Sequence, residues 1–182
     1  MRVQGAVAAG LAVVIGLTAT ATFANGQTAA KPTYVGSAKC KMCHMTQHKT
    51  WAASKHAAAF TALKPEEAAK KECITCHVTG LSDKAGDLTR VEDAVGCERC
   101  HGPGSLYGVK TVMDRKKFTA DPAGTRKEWA AAGLVMPNEA TCKSCHNEKS
   151  PNFKGFDFAK ASAAIKHWKD KPAAQAPAAG AK

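Results

Sequence analysis

One short pattern, repeated four times, constrains the fold of this chain more than any other feature. Two cysteines, two residues apart and followed at once by a histidine, occur at Cys40, Cys43 and His44, at Cys73, Cys76 and His77, at Cys97, Cys100 and His101, and at Cys142, Cys145 and His146. This pattern is typical of the attachment site for c-type haem, in which two thiols add to the porphyrin and the histidine reaches the iron. The sequence therefore predicts four covalently bound haem c groups, with these four histidines as proximal iron ligands.

Paired cysteines also occur in zinc sites and in the disulfides of exported proteins. A zinc ribbon uses two cysteine pairs for one metal and needs no adjacent histidine. Disulfides would explain the even number of cysteines, but they leave the histidines unexplained. Haem attachment accounts for both residue types at this spacing.

The beginning of the chain has the composition of a secretory signal peptide. Arg2 precedes an apolar stretch at residues 6–17, and small residues continue to Ala24. Cleavage is predicted after Ala24, with Ala21 as the alternative. A membrane anchor is not predicted, because the apolar stretch is shorter than the roughly 20 residues that span a bilayer. The mature protein is thus expected in the periplasm or outside the cell, without a transmembrane anchor.

The predicted organisation is a signal peptide at 1–24, a linker at 25–33, one tetrahaem domain at 34–169 and a disordered Ala/Pro-rich tail at 170–182. So short a mature chain has too few residues to enclose four porphyrins in an ordinary protein core. The haems are expected to form the core of a mostly α-helical domain with extensive loops and little or no β-sheet.

Local signals predict where several helices begin and end. Residues 40–60 contain neither proline nor glycine and predict one helix, for which Ser37 is a candidate N-cap. Pro65 predicts the start of a helix that carries the second motif and ends near Gly80. Residues 102–104, Gly-Pro-Gly, predict that no helix continues beyond the third motif.

Three further signals lie in the last third of the chain. Residues 125–128 read as a capping box that opens a short helix. Asn138 is expected to cap the helix before the fourth motif, and Asp157 to cap a final helix that carries His167.

The formal net charge is +11. Haem propionates would offset much of it, and basic residues are not interleaved with aromatic ones, so nucleic-acid binding is not predicted. The expected partners are redox proteins, and an acidic partner is one alternative.

Three histidines remain as candidate distal ligands on the second side of the irons: His56, His167 and His48. Alanines precede His56 and His167 by one helical turn, which leaves room for a porphyrin. His48 shares a helical face with His44, so it could serve only another haem, in this chain or in a neighbouring molecule. Methionines are alternative ligands, although each more often serves packing.

Several segments beyond the motifs resemble the tetrahaem cytochrome c-554 family. They are residues 34–36, Trp51 with residues 54–57, residues 76–80, residues 96–104 and residues 165–167. The resemblance implies a helical fold with haems in stacked and perpendicular pairs, and electron transfer of the kind that follows hydroxylamine oxidation. It also implies that His56 serves the third haem and His167 the fourth, and that the second haem, at His77, is five-coordinate.

The chain departs from the family at the first haem. Family members place another histidine after the Gly-Pro-Gly segment, whereas residues 105–118 contain none here. The second axial ligand of the first haem would then be Met113 or His48 of another molecule, or the iron would have no second ligand.

The leading functional prediction is an electron carrier without enzymatic activity. One alternative is a subunit of an extracellular cytochrome filament, in which a histidine is donated between subunits. The other is a reductase of a small nitrogen oxide at an open iron.

Overall fold

The computed structural model describes residues 30–167, which from Lys31 onward belong to one compact unit. The helices in this range are α1 Ser37–Lys41, α2 Met45–Ala52, a 3-10 helix Phe60–Ala62, α3 Pro65–Ala68, α4 Lys71–His77, α5 Cys97–His101, α6 Arg115–Ala120, α7 Pro122–Ala131, α8 Glu139–Lys143 and α9 Phe158–Ile165. Between residues 30 and 167 there is no β-strand, only an isolated antiparallel bridge between Thr79 and Glu92. The predicted mostly helical fold class is confirmed.

The signal peptide predicted at 1–24 lies outside the described residues, as do most of the linker and the tail at 170–182. The domain boundaries therefore stay predictions. Among the helices at residues 30–167, none has the length and apolar character needed to cross a membrane.

The apolar interior of the described residues is small. Five apolar side chains are buried there: Ile74, Val78, Ala94, Val95 and Tyr107. Burial of apolar surface is the main favourable term in folding, and a domain of this length ordinarily buries a larger set. The chain therefore depends on something other than its own apolar side chains, which agrees with the expectation that haems form the core.

A buried carboxylate connects the segments around the first and third motifs. Glu98 in α5 is only 1% exposed. Its Oε1 accepts hydrogen bonds from the backbone N–H groups of Val35 at 2.9 Å and Gly104 at 2.6 Å, and its Oε2 accepts one from Gly36 at 2.7 Å. Val35 and Gly36 lead into α1, so one side chain fixes α1 to α5 and to the turn that follows α5.

Thr79 makes a similar connection between the second and third motifs. It is fully buried just after α4. Its hydroxyl donates to the carbonyl of Ala94 at 2.7 Å and accepts from the N–H of Gly96 at 2.8 Å. The segment that enters α5 is thereby fixed to the segment that leaves α4.

Two predictions about the first motif are wrong. Gly36, not Ser37, is the N-cap of α1. Ser37 is buried, and its hydroxyl donates to Oε2 of Glu92 at 2.8 Å and accepts from the N–H of Cys97 at 3.1 Å. The single helix expected at 40–60 is interrupted at His44, whose ψ of 48° is not helical. Helices this short have little stability of their own, so tertiary contacts decide where they end.

Two other helix boundaries also differ from the predictions. The helix whose capping box was predicted at residues 125–128 begins earlier, at Pro122, because the Asp121 carboxylate caps it by accepting from the N–H of Gly124 at 2.9 Å. The helix expected from Pro65 through the second motif is divided into α3 and α4, and α4 ends at His77 instead of near Gly80.

Three further boundary predictions are confirmed, and one is wrong. Asn138 accepts from the N–H of Thr141 at 3.1 Å and caps α8, and Asp157 accepts from the N–H of Lys160 at 3.0 Å and caps α9. His101 is the last residue of α5, and Gly102 follows it with a φ of 79°. His167 lies two residues beyond the end of α9, not within the helix as predicted.

Replacing Glu98 by Gln should destabilise the protein strongly. The amide NH2 group would face backbone N–H donors, which lose a charged acceptor, at a cost of about 2–4 kcal/mol in the free energy of unfolding. Urea unfolding of the haem-loaded protein measures this cost. Glu72→Gln, an exposed position in α4, is the matched control and should change stability by less than about 0.5 kcal/mol. Equal effects of the two substitutions would contradict the role given to Glu98.

Candidate haem-binding site

The four cysteine motifs all lie on or directly after short helices. The second motif lies within α4 and the third makes up α5, while the first and fourth begin in α1 and α8 and end in the turns that follow. None of the eight cysteines, which all lie within residues 30–167, forms a disulfide. Among residues 30–167, no three His, Cys, Asp or Glu side chains converge as metal ligands do. Each motif thus offers two thiols and one imidazole as a separate unit.

The cysteines bring the motifs close to one another. A hydrogen bond between the thiols of Cys40 and Cys97 raises the pKa of Cys40 and lowers the pKa of Cys97 to about 7. Burial, with a contribution from nearby Cys145, raises the pKa of Cys76 to about 11. The first motif therefore lies close to the third, and the second lies close to the fourth.

The structure places two candidate distal histidines opposite two proximal ones. The ring centres of His56 and His146 are 6.0 Å apart, and those of His101 and His167 are 6.5 Å apart. A metal–imidazole bond is about 2 Å long and a ring centre lies about 1.1 Å behind the bonded nitrogen, so two imidazoles on opposite sides of one metal have ring centres about 6.3 Å apart. Both pairs therefore have the separation that one shared iron requires.

The resemblance implies a different assignment, in which His56 serves the third haem and His167 the fourth. In the structure, the His56 ring lies near that of His146 in the fourth motif, and the His167 ring lies near that of His101 in the third. The order of residues along the chain does not decide which loop reaches which motif, so the ligand assignment stays a prediction. Val95 holds the His56 loop in place: its N–H donates to the carbonyl of His56 at 3.0 Å, and its carbonyl accepts from Trp51 Nε1 at 2.9 Å.

Two proximal histidines are oriented by backbone carbonyls. Nδ1 of His77 lies 2.6 Å from the carbonyl oxygen of Ala59, and Nδ1 of His101 lies 3.0 Å from that of Val135. A carbonyl oxygen only accepts, so Nδ1 carries the hydrogen and Nε2 is left as the metal-binding nitrogen. This orientation of a ligating histidine by a second hydrogen bond is usual at metal sites.

Burial favours neutral imidazole at two of the four paired rings. It is the largest cause that lowers the pKa of His56, with nearby His146 as the second cause. Burial is also the largest cause that lowers the pKa of His101. Nδ1 of His167 is buried and has no hydrogen-bond partner within residues 30–167. Neutral imidazoles are the form that binds iron, so these rings suit the predicted cofactor.

The remaining histidines have other surroundings. His48 lies in α2, where its ring meets that of Trp51 edge to face at 5.1 Å. His44 is near enough to His101 to lower the pKa of His101 slightly. A ligand role for His48 stays a prediction.

The sequence reasoning missed Glu98 and Arg99, the two residues between the cysteines of the third motif. The spacing rule leaves those positions open, so the motif itself contains no signal for them. Glu98 is buried among backbone donors, whereas Arg99 extends toward the second and fourth motifs.

Comparison with known proteins gives consistent results. The family described as "Cytochrome c554 and c-prime" matches residues 39–102. Cytochrome c-554 of Nitrosomonas europaea is 32% identical over 173 residues, which cover 79% of this chain and 72% of that protein. The chain belongs to the cytochrome c-554 family. The structure of reduced cytochrome c554 from the same organism matches with a TM-score of 0.52 and 27% identity, over 75% of this chain and 79% of that one.

Membership in the cytochrome c-554 family establishes the general chemistry. The protein is a helical multihaem cytochrome that carries covalent haem c and transfers electrons. The free thiols and the spacing of the histidine pairs fit that cofactor.

Gly102 allows the backbone to turn directly after His101. Its φ of 79° and ψ of 169° lie in a region that is essentially restricted to glycine. A Cβ added here would lie 2.7 Å from the carbonyl oxygen of Gly133. The turn allows Val135 to bond both the backbone carbonyl and the ring of His101.

Gly102→Ala should destabilise this cytochrome and disturb the haem held by His101. Backbone strain alone costs about 1–3 kcal/mol, and the contact with Gly133 adds to it. Gly86→Ala is the matched control, because Gly86 also has a positive φ, of 72°, but has open space around its added Cβ. Denaturant unfolding and the visible spectrum measure the two effects. A Gly86→Ala variant as damaged as Gly102→Ala would show that the contact with Gly133 is unimportant.

Proposed function

We propose that this chain is an exported tetrahaem electron carrier. The cysteine pairs of the four motifs would hold the haems, with His44, His77, His101 and His146 as proximal ligands. His56 and His167 would complete the fourth and third haems, respectively. The observation that carries the proposal is the separation of 6.0 and 6.5 Å between the paired imidazole rings.

Two opposed imidazoles suit electron transfer better than catalysis on a bound substrate. Haem c, when bound, supplies an iron that takes up or gives up one electron. The histidine pairs would fill both axial positions, so no substrate could reach those irons. The Nδ1 hydrogen bond from His101 to the Val135 carbonyl orients one of these rings.

The contacts between motifs support rapid transfer within the protein. Cys40 lies near Cys97, and Cys76 lies near Cys145, so haems joined to these cysteines would lie close together. Electron tunnelling falls steeply with distance, and short separations therefore favour transfer from the first to the third haem and from the second to the fourth.

The proposed location is the periplasm or the exterior of the cell, after removal of residues 1–24. The apolar leader supports export, and attachment of haem c takes place outside the cytoplasm. Partners would be redox proteins that donate and accept single electrons. Their identity is not encoded in a motif of this chain.

Intact-mass spectrometry of the protein purified from an exporting host tests the proposal. The expected mass is that of residues 25–182 plus four haem groups, and reductive titration should take up four electrons reversibly. Replacing both Cys142 and Cys145 by Ser should remove one haem, whereas Ser144→Ala, between them, should remove none. A mass without haem, or haem that is lost on denaturation, would contradict covalent attachment.

A further inference from the structure

The side chain of Arg99 connects three of the motifs. It lies within the third motif, and its Nη2 donates to the carbonyl oxygen of Thr75 in the second motif at 3.2 Å. The same nitrogen donates to Sγ of Cys145 in the fourth motif, also at 3.2 Å. Since Nη2 carries two hydrogens, both bonds can form together.

The charge of Arg99 is permanent and acts on the surrounding sulfurs. A guanidinium stays protonated throughout the pH range of proteins. The hydrogen bond at 3.2 Å holds this positive charge against Sγ of Cys145.

No carboxylate neutralises this charge nearby. In the part of the chain at residues 30–167, the ion pairs are Arg90 with Asp93, Lys117 with Glu128 and Lys143 with Glu139. The adjacent Glu98 turns away from Arg99 and accepts from the backbone N–H groups of Val35, Gly36 and Gly104. The two neighbouring charges are therefore directed to different motifs.

We propose that Arg99 raises the reduction potential of the haem bound at the fourth motif. The inference rests on the proposed function. Reduction of a ferric haem adds one negative charge, and a cation held against the sulfur that joins this haem to the chain stabilises the reduced state. A thioether sulfur keeps lone pairs and still accepts a weak hydrogen bond.

The redox step that Arg99 favours is balanced within the protein. With haem c bound, the electron gained at the fourth motif would come from the haem at a neighbouring motif, which would lose it. No bond forms or breaks and no proton moves. Arg99 would make the fourth motif the place where an electron arriving from the second motif is retained.

Potentiometric titration of the haem-loaded protein, followed by electron paramagnetic resonance, tests the proposal. The signal of the fourth haem is identified as the low-spin signal that His56→Ala converts to high spin. Arg99→Gln should shift the midpoint potential of this signal downward, whereas Arg99→Lys, which keeps the charge, should restore most of it. Arg126→Gln removes one charge from α7, where the guanidinium lies over Phe118, and should leave the midpoint unchanged.

Several outcomes would overturn the inference. They are an unchanged midpoint in Arg99→Gln, an equal shift in Arg126→Gln, and a shift in Arg99→Lys as large as that in Arg99→Gln. In each case a wild-type protein with four haems and reversible reduction would leave the proposed function intact. A wild-type protein without covalent haem would instead overturn the proposed function itself.

Discussion

The buried carboxylate of Glu98 is the interaction on which the arrangement of the motifs depends. Helix α5 has five residues and has little stability in isolation. Glu98 anchors it by accepting hydrogen bonds from the backbone just before α1 and from Gly104 in the Gly-Pro-Gly turn. Bonds to a charged acceptor are among the strongest in proteins, so they hold α5 in place where the apolar interior is small.

This anchoring determines what the third motif can reach. With α5 fixed to α1, Cys97 lies near Cys40, and the Arg99 side chain extends toward the second and fourth motifs. The turn at Gly102 then presents the His101 ring to His167. A few hydrogen bonds at one short helix thus set the spacing of groups that come from distant parts of the chain.

The sequence allowed the motifs, the helical class and three of the helix boundaries to be predicted, because those depend on neighbouring residues. Asn138 and Asp157 act on N–H groups three residues away, and Gly102 acts through its own backbone. The break at His44, the burial of Ser37 and the pairing of His56 with His146 depend on contacts between distant segments, and no local pattern encodes them. For the same reason, the contacts of Glu98 and Arg99 could not be predicted, although the motif that contains them was.

The most direct test of this account is a crystal structure of the haem-loaded protein that identifies both axial ligands of the third and fourth irons. We expect His101 with His167 on one iron and His146 with His56 on the other. An iron ligated by His101 and His56, or by His146 and His167, would contradict the pairing inferred from the ring distances.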